Sequence, residues 1–477
     1  MAVLTQARTS IRPWPALIAA YAGVFLTISD LFKVLVAVPA IQRALHAPPA
    51  VGQWVLAGFQ LTYAVTLVTG GRLGDRYGRR RVFCAGVALF TLASAASGLA
   101  PGAGVLIAAR LVQGVGSALA LPQAFSLVQV LFPPERRDRP FAVMGAVLGL
   151  SSVTGQVLGG VILQVLPWRA VFLVNLPLGL VVFVAALRLI PESRTPGAGR
   201  VDRPGTGLLS GALVLLVLPL IEGRQLGWPA WTWACLAAAP LAFAGFALVE
   251  RRMPAPLVDL RLFRDRAFTL AAVIVLAWYV MVNAFNFVLT LELQEGLRLS
   301  AIRAALAFVP FALAFLAGSL AAGRLAPVLG RGLLVAGAAV AAAGLAVLLA
   351  GPYTTVSIMV ATVVLGVGMG LVQTPLLNIA LKGVREEHVG TASGVLSTAQ
   401  QVGGSVGVAL VGVVYFRAVP HGRPDAFTAG CAFALALVLV SLALLAALPR
   451  AGTSAGRRAG PGPRSGSGSP AGSATRT

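Results

Sequence analysis

Apolar residues in this chain come in long blocks separated by short polar stretches. A helix needs about 20 apolar residues to cross a bilayer core, with a range of roughly 17–25. Fourteen blocks approach or exceed that length: 14–41, 51–71, 82–100, 103–125, 140–163, 168–190, 205–221, 231–249, 267–291, 303–323, 332–350, 355–380, 391–416 and 427–448. The pattern predicts an all-α membrane protein with fourteen transmembrane helices. The seventh block is short and rich in glycine. It leaves open whether helices 7 and 8 both cross fully, but the loops on either side of the pair, 188–203 and 250–266, are both basic and keep the same topology.

Composition strengthens this reading. The residues are 58% hydrophobic and only 11% charged, with a mean hydropathy of +0.87. A soluble domain carries about a quarter charged residues, so lipid must be the solvent here. The net charge of +22 does not point to nucleic acid, because the basic residues sit in short loops and in the tail with no aromatic-interleaved patch. Lysine and arginine mark the cytoplasmic side of membrane proteins. With both termini inside, the inner loops and tails hold 28 basic residues and the outer loops hold 7. The chain is therefore expected in the plasma membrane with both termini cytoplasmic. Arg8 and Arg12 precede a span longer than 20 residues that has no small-residue cleavage site, which reads as a first transmembrane helix and not a signal peptide. Cys84, Cys235 and Cys431 fall inside apolar blocks without metal-ligand spacing and read as core residues.

An internal repeat divides the chain. Gly71-Arg72-Leu73 with Gly78-Arg79 recurs as Gly323-Arg324-Leu325 with Gly330-Arg331, a constant offset of 252. Each copy follows an even-numbered span. Spans 1–6 and 9–14 thus form two six-helix units, with spans 7 and 8 inserted between them. The expected organisation is a cytoplasmic N-terminus (1–13), an N-terminal six-helix bundle (14–190), a linker carrying the two extra helices (191–266), a C-terminal six-helix bundle (267–448) and a disordered cytoplasmic tail (449–477). Parallel six-helix repeats are a transporter architecture with the substrate site at the midplane.

The stretch Gly71-Arg72-Leu73-Gly74-Asp75-Arg76-Tyr77-Gly78-Arg79-Arg80 resembles the signature loop of the major facilitator superfamily between helices 2 and 3. Further motifs resemble its fourteen-helix drug:proton antiporter family. Leu106, Arg110, Gln113, Gly114 and Gly116 resemble the helix-4 motif. Gly155-Gln156-Val157-Leu158-Gly159-Gly160 resembles the helix-5 antiporter motif, with Gln156 in place of the usual proline. Trp168-Arg169 with Asn175 and Pro177, the linker Pro256-Leu257-Val258-Asp259-Leu260, and Gly390-Thr391-Ala392-Ser393-Gly394 resemble subfamily markers. The resemblance implies a major facilitator fold and a gating role for Gly71, Asp75, Arg76, Gly78, Arg79 and Arg80. It also implies a proton-linked role for Arg110 and for Asp30 in the first span. The second copy has Pro327 where Asp75 would fall.

Charges inside spans are costly and mark functional sites by default. Asp30, Lys33 and Arg110 are placed well within spans, and Lys33 is one helical turn from Asp30, close enough to pair with it. Glu292, near the outer end of helix 9, is a further candidate proton carrier. Gln113, Gln156, Tyr279, Asn283, Asn286 and Gln373 are the polar candidates for a substrate cavity. Enzyme motifs fail: Gly403-Gly404-Ser405-Val406-Gly407 lies in an apolar span, and no Walker motif is present. The expected function is export of a small amphipathic organic compound, a drug, antibiotic or secondary metabolite, in exchange for protons. No cofactor is expected, and the partners are substrate, protons and membrane lipid, with no nucleic acid. A facilitator-type importer or uniporter of a polar metabolite is the alternative, and a non-transporting membrane sensor the third reading.

Overall fold

The computed structural model describes residues 13–133, 136–194, 202–253, 256, 258, 260–352, 354–381 and 389–447. The tail expected to be disordered, 449–477, lies outside them, as do Leu257 and Asp259 of the linker marker. The helices are α1 (Pro13–Ala44), α2 (Pro49–Tyr77), α3 (Arg79–Gly98), α4 (Ala103–Leu131), α5 (Asp138–Val165), a short α6 (Ala170–Leu173), α7 (Asn175–Leu189), α8 (Arg203–Glu222), α9 (Ala230–Glu250), α10 (Arg266–Leu291), α11 (Ala301–Leu329), α12 (Arg331–Ala350), α13 (Thr355–Leu381), α14 (Val389–Ala418) and α15 (Arg423–Ala447). With α6 and α7 counted as one, fourteen are long and apolar enough to cross a membrane. At 20 and 21 residues, α8 and α9 are each about 30 Å long, so both members of the inserted pair have spanning length.

Local chemistry sets the helix ends. Asp202, Ser300 and Asp265 accept hydrogen bonds from the first-turn amides of α8, α11 and α10, satisfying donors that a helix start leaves free. The stretch 71–80, expected as a loop, is almost wholly helical. Residues 71–77 are the last two turns of α2, and α3 begins at Arg79. Gly78 alone breaks the run, at φ 109°, a conformation that a side chain would strain.

In the first half α1 packs on α5 and α7, α2 on α4, and α3 on α4 and α7. In the second half α10 packs on α14 and α15, α11 on α13, and α12 on α13 and α15. Without water to squeeze out, lipid-embedded helices associate through close packing of small residues. Gly86 and Gly116 seat α3 on α4. Gly318 with Gly370, and Gly337 and Gly344 with Gly368, seat α11 and α12 on α13; a Cβ at any of these would overlap the facing helix. The glycines at 366, 368 and 370 are thus packing positions.

The halves meet where α2 lies on α14 and α5 on α11, and α8 of the inserted pair lies against both α2 and α14. Tight contacts gather in the half of the molecule away from the Gly78 turn. A Cβ on Gly160 would overlap Ala305, Gln53 Nε2 donates to the Val408 carbonyl at 3.0 Å, and Ser405 Oγ donates to the Ala57 carbonyl at 3.0 Å. Nearer the turn the packing loosens. Nothing among the described residues lies within 4 Å of a Cβ placed on Gly145 or Gly149.

Candidate functional site

Four helices of the first half converge on a buried charge centre. Asp30 (α1), Arg110 and Gln113 (α4), Asn175 (α7), Ser94 (α3) and Lys33 (α1) are all fully buried. Arg110 Nη1 donates to Asp30 Oδ2 at 2.7 Å and to Gln113 Oε1 at 2.7 Å, and Arg110 Nε donates to the Val55 carbonyl at 2.9 Å. The guanidinium carbon stands 4.5 Å from the Phe59 ring centroid, a cation–π distance. Asn175 Nδ2 donates to Asp30 Oδ1 at 2.6 Å and to Ser94 Oγ at 2.9 Å, and Gln113 Nε2 reaches Asp30 Oδ2 at 3.3 Å.

The direct ion-pair partner of Asp30 is therefore Arg110, not Lys33. One turn along a helix brings Lys33 near the carboxylate, but its Nζ bonds Asn175 Oδ1 at 2.5 Å instead. Asn175 sits between them, donating to the acid and accepting from the amine. Arg110 does not snorkel to the surface; it is 0% exposed. The sequence reading passed over Asn175 and Ser94 as site residues. A polar pair in apolar helices was the available signal.

The cavity candidates divide. Gln113 belongs to the charge centre. Gln156 is buried on α5, and a second polar cluster forms where α2 of the first half meets α14 beside α10. There Gln60 Nε2 donates across the interface to Asn283 Oδ1 at 3.1 Å, and Asn283 Nδ2 returns to the Tyr279 carbonyl at 3.0 Å. Gln400 Nε2 donates to the Tyr279 hydroxyl at 3.0 Å, with Gln373 beside it. Asn286 lies one turn on; its Nδ2 donates to the Val282 carbonyl, and its buried Oδ1 has no partner. Gln60 and Gln400 were missed because a glutamine in an apolar helix does not show in sequence whether it faces a partner.

At the Gly78 turn, Asp75 and Arg79 pair at 2.5 Å across the break. Arg79 N–H donates to the Ser193 carbonyl at 3.0 Å, and Arg80 N–H donates to Glu192 Oε1 at 3.3 Å. Arg81 lies 3.5 Å from Glu192 Oε2. Arg72 donates to the carbonyl of Pro256. Arg76, exposed, lies over the Tyr77 ring, and Gly71 faces Pro122 of α4. Both connections of the inserted helix pair, 190–202 and 251–265, thus bond the turn. No motif announced Glu192.

A third polar group closes the opposite end. After α10 the chain makes a π-turn, Glu292–Gly296. Its Gln294 donates to the Val36 carbonyl of α1 at 2.8 Å, and its Glu295 pairs with Arg423 at 2.8 Å. Glu292 is fully buried, and neither carboxylate oxygen has a hydrogen-bond partner among the described residues.

Two six-helix halves, an inserted pair and a polar interface between the halves define a multi-pass membrane transporter. The chain belongs to the major facilitator superfamily, whose family model matches residues 20–408. It is 37% identical over 420 residues to the probable actinorhodin transporter of Streptomyces coelicolor, covering 85% of this chain and 73% of that one. It is 35% identical over 464 residues to the tetracenomycin C resistance and export protein of Streptomyces glaucescens, covering 94% and 85%. Among solved structures, a POT family transporter in complex with 5-aminolevulinic acid superposes with a TM-score of 0.67 at 15% identity, covering 91% and 96%. The xylose transporter XylE from E. coli gives 0.62 at 14%, covering 90% and 98%. At such identities these structures speak for the fold alone.

Proposed function

We propose that the protein is a proton-driven exporter of small amphipathic organic compounds, of the antibiotic or secondary-metabolite class, in the plasma membrane with both termini cytoplasmic. The observation that carries this reading is the charge centre of Asp30, Arg110 and Lys33, fully buried beside the interface of the halves. Such a centre costs several kcal/mol of desolvation and persists in spans where it serves a pathway. The export direction is supported by relatives named for antibiotic export and resistance. Tyr279, Asn283, Gln373, Gln400 and Gln60 offer an aromatic face and adaptable hydrogen-bonding groups, which suit amphipathic compounds of varied shape.

With the Gly78 turn on the cytoplasmic side, the packed half is the outer one, and this is an inward-facing arrangement. The turn and its bonds to Glu192 and Ser193 latch the inner side when the halves rock. The membrane potential contributes about 2.3 kcal/mol per charge per 100 mV, so one proton supports a modest gradient. The test is expression in a sensitive bacterial host challenged with a panel of toxic compounds. Export lowers internal accumulation, and a protonophore abolishes the effect. Raised accumulation of a polar metabolite would favour the importer reading, and no change for any compound would favour a sensor.

A further inference from the structure

The outer end of the inserted pair touches both halves of the molecule. On the first half, α8 is pinned to α2 at two places. Near the inner end the hydroxyls of Thr69 and Thr206 share a hydrogen bond at 3.1 Å. Near the outer end Trp54 Nε1 donates to Glu222 Oε1 at 2.6 Å. The order of the bonds makes the two helices antiparallel. Thr69 and Trp54 are 15 residues apart on α2, and Thr206 and Glu222 are 16 apart on α8. The pins therefore stand about 22–24 Å from one another, and two fixed points so far apart leave α8 little freedom to tilt against α2. Two residues beyond Glu222 the chain reaches the second half. Arg224 Nη2 donates to the Phe416 carbonyl at 2.5 Å, and its guanidinium carbon lies 5.6 Å from the Phe416 ring centroid. The sequence explains why that carbonyl is open. A continuing helix would bond it to the N–H of residue 420, and Pro420 has none. Phe416 is in the last turn of α14, where the negative end of the helix dipole favours a cation. Arg224 supplies the donor that Pro420 withholds.

We propose that the inserted pair is an outer clasp: α8 moves with the first half as one rigid body, and Arg224 holds the second half to it whenever the outer side is closed. The proposal rests on the reading of the halves as bundles that rock against each other; it needs neither an export direction nor a driving ion. When the halves part on the side away from the Gly78 turn, the tip of α8 cannot stay on both α2 and α14. The two pins keep it on α2, so the contact at Arg224 breaks. The guanidinium and the Phe416 carbonyl then turn to water. The strength of this one contact in the closed state therefore helps to set how often the outer side opens.

The test uses the full-length protein in lipid nanodiscs with its three cysteines replaced by alanine. Pairs of spin labels are read by double electron–electron resonance. Leu99 on the first half, Val356 on the second and Leu226 in the turn after α8 are exposed positions at the outer end, and each is changed to cysteine for labelling. Gly160→Trp serves as a wedge that opens the outer side, because even a Cβ there overlaps Ala305 of α11. In the wedged protein the Leu99–Val356 and Leu226–Val356 distances are expected to lengthen together, with the Leu226–Leu99 distance unchanged. A Leu226–Leu99 distance that lengthens overturns the proposal. Without the wedge, Arg224→Met is expected to raise the outward-open fraction about tenfold, since it removes a hydrogen bond to a charged group. Pro420→Ala gives the Phe416 carbonyl a helical donor of its own and should shift the fraction the same way. Adding it to Arg224→Met should change nothing further, because one carbonyl is at stake. An outward-open fraction in Arg224→Met no higher than in the wild type overturns the clasp. No substrate or gradient is used, so failure here leaves the exporter reading standing, and the compound panel decides that separately.

Discussion

The two copies of the repeated helix–turn–helix make a natural experiment. In the first, α2 and α3 meet at Gly78, and Asp75, Arg79, Arg80 and Arg72 bond one another or the two connections of the inserted helices. In the second, α11 and α12 meet at Gly330, again at positive φ, but Arg324 is exposed and nothing among the described residues lies within 4 Å of a Cβ on Gly323, Gly330 or Gly332. The backbone device is repeated and the chemistry is not. The same division runs through the membrane. The first half holds a fully buried ion pair, and the second holds Glu292, whose carboxylate oxygens have no hydrogen-bond partner among the described residues. Close helix packing runs through both halves, while among the described residues the fully buried ion pair is in the first and the Glu295–Arg423 pair of the second is part-exposed.

The largest expected effect is at the charge centre. Arg110→Met leaves Asp30 buried without its countercharge and should cost about 3–5 kcal/mol, read as loss of folded protein in a detergent melting assay. Adding Asp30→Asn should recover more than half of that loss while transport stays absent. No recovery would mean that packing, not charge pairing, holds Arg110.

Next is the turn. Asp75→Asn removes the charge from a hydrogen bond worth about 1.5–3 kcal/mol and should lower efflux tenfold or more at normal expression. Pro327→Asp, which restores the acid in the second copy, should leave efflux within about twofold, because an exposed pair with Arg331 would still lack the bonds that Ser193 and Glu192 give the first copy. Equal effects at the two sites would erase the asymmetry.

Packing separates the copies on a smaller scale. A Cβ at Gly74 would overlap Gln123 of α4, so Gly74→Ala should lower stability by about 1–3 kcal/mol. Gly323→Ala meets open space and should raise it by about 0.5–1 kcal/mol through helix propensity. Melting temperatures of the pair measure this sign change.

The smallest effect is at Glu292. No hydrogen bond is lost on changing it to the isosteric amide, so Glu292→Gln should shift stability by less than about 1 kcal/mol. A larger loss would show that its carboxylate has a partner in another state.

The number of helices, their class and the repeat were legible in the sequence because a spanning helix must bury its backbone in a fixed thickness of lipid. Length and hydropathy report that constraint residue by residue. The signature stretch was equally legible, since its glycines and charges are consecutive. What sequence could not decide is which buried groups bond. Spacing along α1 put Lys33 beside Asp30, yet the acid bonds Arg110, which is 80 residues away, and Asn175, 145 residues away, stands between the acid and the lysine. Partners from α4 and α7 take the carboxylate in place of the neighbour on its own helix, because packing of the bundle aims their donors at it. Glu192, Gln60 and Gln400 were invisible for the same reason. Lipid thickness acts on each segment by itself and so is written into the order of residues; hydrogen-bond direction across helices exists only once the helices are packed.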